Sequence, residues 1–350
     1  AAAWRRRRRQ RRQRRAGILF TGTGCSSGLP MMKCRVPGAA GCAACAPAFL
    51  NGWRDANERC NVGLLIRCRT DAGWRHAQID VGKTFRQSVL RWYKLFDVPS
   101  LDAVLLTHDH ADACFGLDEI RGLQPHTTTA EKPTQGWADG ATAMLCLCDA
   151  RTLKSMKRVF PYLFPPADVL KPGAFAEVPG PEAPAGVTAD PKPIQRYVSK
   201  IDWVAFPADT APFSPFAGLE VRALPVMHGE DYVCYGFGFG PPGSRVAYIS
   251  DYTRLLPATL DLLSAWQREP GGIAVLVLDA LNQSAFCPVH ATVEQSLDVA
   301  RKFRATRTLL VGMGHSLEHH ETNAKLRRLL DTEGLDVQLA RDGLFLELDL

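Results

Sequence analysis

Hydrophobic positions along this chain fall into short apolar runs separated by stretches with helical spacing. "GILFTGTG", from Gly17, reads as a strand closing in a glycine turn. "CNVGLLIRCR" and "WRHAQIDVG" read as a strand pair, and "KTFRQSVLRWYKLF" places Phe85, Val89, Leu90 and Trp92 at helical intervals. A short buried strand, "DAVLLTH", leads into a predicted helix "ADACFGLDEIRGLQ", and the strand "AMLCLC" into a helix "ARTLKSMKRVFPYLF". Residues 164–198 are crowded with proline, alanine and glycine, which predicts a flexible surface insertion. Strands resume at "GLEVRALPVMH", "YVCYGFGFG" and "RVAYISD". The helix "PATLDLLSAWQ", strand "IAVLVLD", helix "TVEQSLDVARKF" and strand "RTLLVGM" follow. A helix near 319–333 and the strands "LDVQLA" and "LFLELDL" close the chain. No repeat of solenoid length occurs. Strand clusters with interspersed helices predict two sheets flanked by helices.

Composition changes this picture mainly at the N-terminus. Nine arginines and no acid lie in "AAAWRRRRRQRRQRRAG"; without them, 33 basic side chains face 36 acidic ones, a net of −3. The body is therefore no general nucleic-acid binder, and residues 1–16 form a disordered tail. That tail is the one place where nucleic acid could be held, or a remnant of a plastid or mitochondrial transit peptide. No apolar stretch reaches the ~18–20 residues of a membrane span. Eleven cysteines, an odd number in a long chain without a signal-peptide core, point to reduced thiols in an intracellular, cytoplasmic protein. Cys68, Cys146, Cys148 and Cys234 lie in apolar segments and fill core.

The densest chemistry is "LLTHDHADACFG". His108 and His110 stand two apart directly after a buried strand, so an extended backbone points both the same way. Imidazole with carboxylate suits zinc first, then iron or manganese. Further along, His228, Asp251, Asp279 and His290 each follow an apolar strand, collecting polar groups at one end of a sheet. Asp279 alone reads as an ordinary turn or cap. "MKCRVPGAAGCAACAPAF" supplies Cys34 and a Cys42–Cys45 knuckle, which favours a structural zinc. Cys25 is an alternative third thiolate.

"THDHADACFGLDEIR" resembles the HxHxDH signature of the metallo-β-lactamase fold. With "PVMHG", "ISD", "PVH" and "GMGH" in order, the chain resembles the PhnP-type cyclic phosphodiesterases from about Gly17 to its end. The resemblance implies one α+β domain over 17–350, a four-layer αβ/βα sandwich. It implies His108, His110 and His228 on one catalytic zinc, Asp251 bridging to a second metal, and Asp112 on that second metal. His290 then lies by the scissile phosphate, as a positioning group or general acid. His315 completes a Cys3His structural zinc with Cys34, Cys42 and Cys45.

Two positions depart from the family pattern. Ala113 and Gly312 stand where histidines normally serve the second metal. Asp112 and Asp251 alone would favour manganese or magnesium there, or leave it empty. Asp118, His319 and His320 are the candidates to replace a missing ligand. The expected activity is hydrolysis of small cyclic or nucleotide-like phosphodiesters by a metal-activated hydroxide, with Arg121 and Lys83 available to neutralise phosphate charge. The rivals are a non-catalytic metal-stabilised binding module, a tRNA 3′-end nuclease and a thioester or lactone hydrolase. A small-molecule substrate without a membrane partner is expected, and a homodimer is compatible with it.

Overall fold

The computed structural model describes residues 15–124, 126–129, 132–137, 143–164, 198–207 and 209–350. The expectations of a tail and an insertion therefore fall, nearly whole, outside the described residues. In chain order the strands are β1 (Gly17–Gly22), β2 (Gly63–Thr70), β3 (Gly73–Ile79), β4 (Ala103–Leu105), β5 (His126–Thr129), β6 (Lys132–Trp137), β7 (Met144–Cys148), β8 (Ile201–Ala205) and β9 (Pro212–Phe216). They continue as β10 (Leu219–Met227), β11 (Val233–Phe239), β12 (Arg245–Ile249), β13 (Arg254–Leu255), β14 (Ile273–Asp279), β15 (Arg307–Val311), β16 (Val337–Leu339) and β17 (Phe345–Glu347). One sheet has the order β17-β1-β2-β3-β4-β7-β8. The other runs β13-β10-β11-β12-β14-β15-β16, with β9 also paired to β10, and β5 and β6 form a separate hairpin.

Both faces of the central strands are apolar because both are covered. In the first sheet Ile18, Phe20, Leu64 and Ile66 turn inward, while Leu19 and Leu65 turn out towards helices. In the second, Val275 and Val277 face inward and Leu276 and Leu278 outward. The two inward sets meet, with Val221, Phe237, Phe239 and Tyr248 opposite the first sheet. Phe85 and Trp92 of the segment 85–96 and Met156 of the helix Ala150–Val159 cap the first sheet. Leu263 and Trp266 of Pro257–Arg268, Phe303 of Val293–Phe303 and Leu326 of His319–Glu333 cap the second. The result is the αβ/βα sandwich. Truncating a fully buried ring such as Phe237 in its middle would cost about 3–5 kcal/mol.

The structure corrects several local expectations. Helix 85–96 carries a π-helical turn at Val89–Tyr93, and Leu90 is exposed rather than buried. The stretch after His110 is no single helix but one α-turn, Ala111–Cys114, followed by a 3-10 segment, Leu117–Leu123. Its backbone docks onto β3's extension instead: Val81 N–H donates to Ala113 O at 2.7 Å and Gly116 N–H to Val81 O at 2.6 Å. Gly82 permits this contact, since a Cβ there would lie 1.8 Å from Asp112 O. β8 and β9 lie in a part of the chain where periodicity gave no strand signal.

Candidate metal centres and active site

Strand direction gathers the site. β12, β14 and β15 are parallel, and β10 runs the same way through antiparallel β11. Their carboxyl ends therefore share one edge. His228 follows β10, Asp251 lies two residues past β12, Asp279 ends β14 and Gly312 follows β15. From the first sheet, β4 delivers Thr107, His108 and His110 to the same place.

His108, His110 and His228 bring one ring nitrogen each to within 4.8 Å of the others. The His228 Nε2 to His110 Nδ1 separation is 3.3 Å. Two nitrogens on one tetrahedral ion, with bonds of ~2.0–2.1 Å, would stand about 3.3 Å apart. His228 Nδ1 donates to Val289 O at 2.6 Å, which leaves Nε2 the lone pair. Thr107 Oγ1 donates to Asp80 Oδ2 at 2.9 Å and so accepts from His108 Nδ1 at 2.8 Å. His108 Nε2 is then a buried lone pair with no protein partner. Burial pushes His108 down to about 3 and lowers His228, so both rings are neutral and ready to ligate. A divalent ion fits this donor set.

Behind the triad sits a second constellation. His228, Asp251 and His290 also converge within 4.8 Å. His290 Nδ1 contacts Asp279 Oδ2 at 2.8 Å and Asp251 Oδ1 at 3.6 Å. Burial opposes the charged imidazolium, but Asp279 and then Asp251 outweigh it and raise His290 to about 10. Burial also works against ionisation of Asp251, yet the protonated His290 ring 3.6 Å away helps hold it below the usual carboxylate range. Asp112 is raised, by burial first and then by Asp251, with Lys83 acting the other way. Asp112 joins no candidate metal group among the described residues, so its tie to Asp251 is electrostatic.

Asp279 is no turn or cap, as the sequence suggested. It is fully buried, holds His290, and keeps Oδ1 without a partner. Its position also accounts for Gly312. That residue has φ +71°, and a Cβ on it would lie 2.1 Å from Asp279 Oδ1. The carboxylate of Asp279 fills the space that a side chain at 312 would need to leave the backbone. Asp80 was likewise missed, although it closes a buried strand in the manner of the others. Of the substitute ligands, Asp118 ion-pairs with Arg121 at 2.5 Å and His319 contacts Asn323, while His320 joins no candidate metal group among the described residues. That pairing also commits Arg121. Lys83 remains exposed beside Asp112.

A second group gathers the cysteine knuckle. Cys34, Cys42, Cys45 and His315 converge within 4.8 Å, whereas Cys25 packs nearby outside the set. Cys34 Sγ lies 3.9 Å from Cys42 Sγ, and His315 Nδ1 lies 3.2 and 3.4 Å from those sulfurs. Bonds of ~2.3 Å to sulfur and ~2.0–2.1 Å to nitrogen around one tetrahedral ion would give about 3.8 and 3.5 Å. Backbone N–H groups of Met31 and Cys45 point at Cys45 Sγ and Cys42 Sγ. Buried Arg59 donates to Gly314 O and Leu317 O, clamping the segment that carries His315.

Residues 67–313 match the model of the β-lactamase superfamily domain, and the chain belongs to that family. It has the metallo-β-lactamase fold, that of a superfamily of metal-dependent hydrolases. A crystal structure of a diphosphatase from the PhnP family superimposes with a TM-score of 0.66 at 25% identity, covering 96% of this chain and 99% of that one. Zinc-bound PqqB from Methylobacterium extorquens superimposes at 0.62 and 18% identity, over 95% and 99%. An octanoyltransferase of Porphyromonas gingivalis (strain ATCC BAA-308 / W83) is 24% identical over 308 residues. That match takes in 88% of this chain but 48% of the relative, so the chain spans about half that protein's length.

Proposed function

We propose that this hydrolase is a phosphodiesterase for small cyclic or nucleotide-like phosphodiesters. The observation that carries the reading is the adjacency of two arrangements: three imidazoles with a buried, partnerless His108 Nε2, and a His290–Asp279 pair touching Asp251. The likeness to a PhnP-family diphosphatase supports phosphorus over carbon as the centre attacked.

His108, His110 and His228 would hold a zinc ion, with Asp251 beside it. Asp112 and Asp251 would take a weaker second ion, manganese or magnesium. A divalent ion in such a site supplies Lewis acidity and a nucleophilic water near neutral pH. The protein's own part is positional and protonic. Asp279 fixes the His290 ring through Nδ1 and favours its protonated form. His290 is then poised to protonate the leaving oxygen, or to hold the phosphate. Cys34, Cys42, Cys45 and His315 would bind a structural zinc. The free cysteines suit a reducing, intracellular compartment.

The test combines metal content with turnover of bis(4-nitrophenyl) phosphate, with and without manganese, in wild type and a His108→Ala/His110→Ala double variant. About two zincs in wild type and one in the variant, with activity only in wild type, is the expected result. Stoichiometric active-site metal with no ester hydrolysed would instead support a binding module. Hydrolysis of thioesters or lactones alone would move the reading to carbon esters.

A further inference from the structure

β4 and β7 are adjacent and parallel, so whatever follows each emerges on the same side of the sheet. β4 is followed by the histidine pair. β7 is followed by Asp149, which caps the helix Ala150–Val159 through Arg151 N–H and Thr152 N–H. The first turn of that helix thus stands beside the metal triad, and Arg151 and Ser155 share one of its faces.

Ser155 stands near the carboxylate of Asp109, the residue between the two histidines, and favours its ionised form. Tyr232 donates its hydroxyl to Asp109 Oδ1 and accepts from Asp109 N–H at 3.3 Å. Its ring is thereby locked in place, 5.3 Å from the ring of His110 at a tilt of 34°. The Arg151 guanidinium lies over the Tyr232 ring, 3.8 Å from its centroid. The cation is held one aromatic ring away from a metal-triad histidine. Asp109 is already engaged by Tyr232, and Arg151 makes no ion pair among the described residues. The side chain is exposed. A stacked guanidinium keeps its in-plane N–H donors free, in the fork geometry that fits an oxyanion.

We propose that Arg151, seated on Tyr232, recognises a second anionic group, a phosphate or carboxylate, on the part of the substrate that is not cleaved. The site would then select diesters bearing a separate negative charge on the His110 side. The proposal rests on the phosphodiesterase reading for its substrate but not for its binding test.

Two matched probe pairs test it, using the full chain with metal bound. Bis(4-nitrophenyl) phosphate and 4-nitrophenyl 4-carboxyphenyl phosphate share a leaving group and differ by one distal anion. Phenylphosphonate and 4-carboxyphenylphosphonate make the same comparison without hydrolysis. Wild type is expected to favour the carboxylated member of each pair by about tenfold, in kcat/KM and in Kd, as one charge-assisted contact would give. Arg151→Ala should collapse both ratios towards one, and Arg151→Lys should retain part of them. A structural role would lower all values together and leave the ratios unchanged. Equal ratios in wild type and Arg151→Ala would overturn the proposal. If wild type hydrolyses neither diester but discriminates the phosphonates through Arg151, anion recognition stands and the phosphodiesterase reading falls.

Discussion

Replacing Gly312 by alanine adds one methyl group at a place where the structure allows none. The new Cβ would start 2.1 Å from Asp279 Oδ1, and real Cβ contacts essentially never fall below 3.0 Å. Either the carboxylate or the backbone must retreat by about 1 Å, a displacement that in a catalytic array can cost about 10²-fold in rate. The φ of +71° adds strain of roughly 1–2 kcal/mol for any residue with a side chain. If Asp279 moves, its 2.8 Å contact to His290 lengthens, with a loss of about 1.5–3 kcal/mol. The variant should melt several degrees lower and lose one to two orders of magnitude in kcat. A cycle with Asp279→Ala separates strain from collision. With the carboxylate gone, the Gly312→Ala change should cost little further activity, although the melting penalty from backbone strain persists. Independent, multiplying losses would refute the argument, as would full activity in Gly312→Ala alone.

Other expectations follow from the same geometry. Asp279→Asn removes the anion that raises His290, so the imidazolium should deprotonate at lower pH and the alkaline limb of the kcat–pH profile should shift towards acid; an unmoved limb would remove His290 from that limb. Cys42→Ser should release one equivalent of metal, read by elemental analysis, while the histidine triad keeps its own. Arg59→Met frees Gly314 O and Leu317 O from their clamp, and should weaken metal retention by the cysteine cluster about 10-fold or more in a chelator competition. Chelation of wild type should lower the melting temperature in proportion to the bound ions, and re-addition of zinc should restore it.

Much of this architecture was legible because burial on both faces leaves long apolar runs, and each run ends in a polar residue at the shared edge. His108, His110, His228 and Asp251 could be picked out on that ground, His290 only through the family resemblance, and the cysteine knuckle by its spacing. Asp279 could not, since a carboxylate after a strand looks the same in sequence whether it caps a turn or lies under a histidine eleven residues on. Gly312 looked like a loss because its space is filled by a side chain 33 positions earlier. The helix expected after His110 failed for a tertiary reason: two backbone hydrogen bonds to Val81 outcompete local periodicity. Tyr232 and Arg151 carry no local signal, because their meaning depends on β7 standing next to β4.

The inner core joins two sheets, and the histidine triad straddles the same seam: His108 and His110 come from one sheet, His228 from the other. Neither half of the chain holds a complete ligand set. The triad forms only when β10, which leads into His228, is packed against the sheet that carries the other two. The fold is thus a condition of the site: the triad exists only where the two sheets meet.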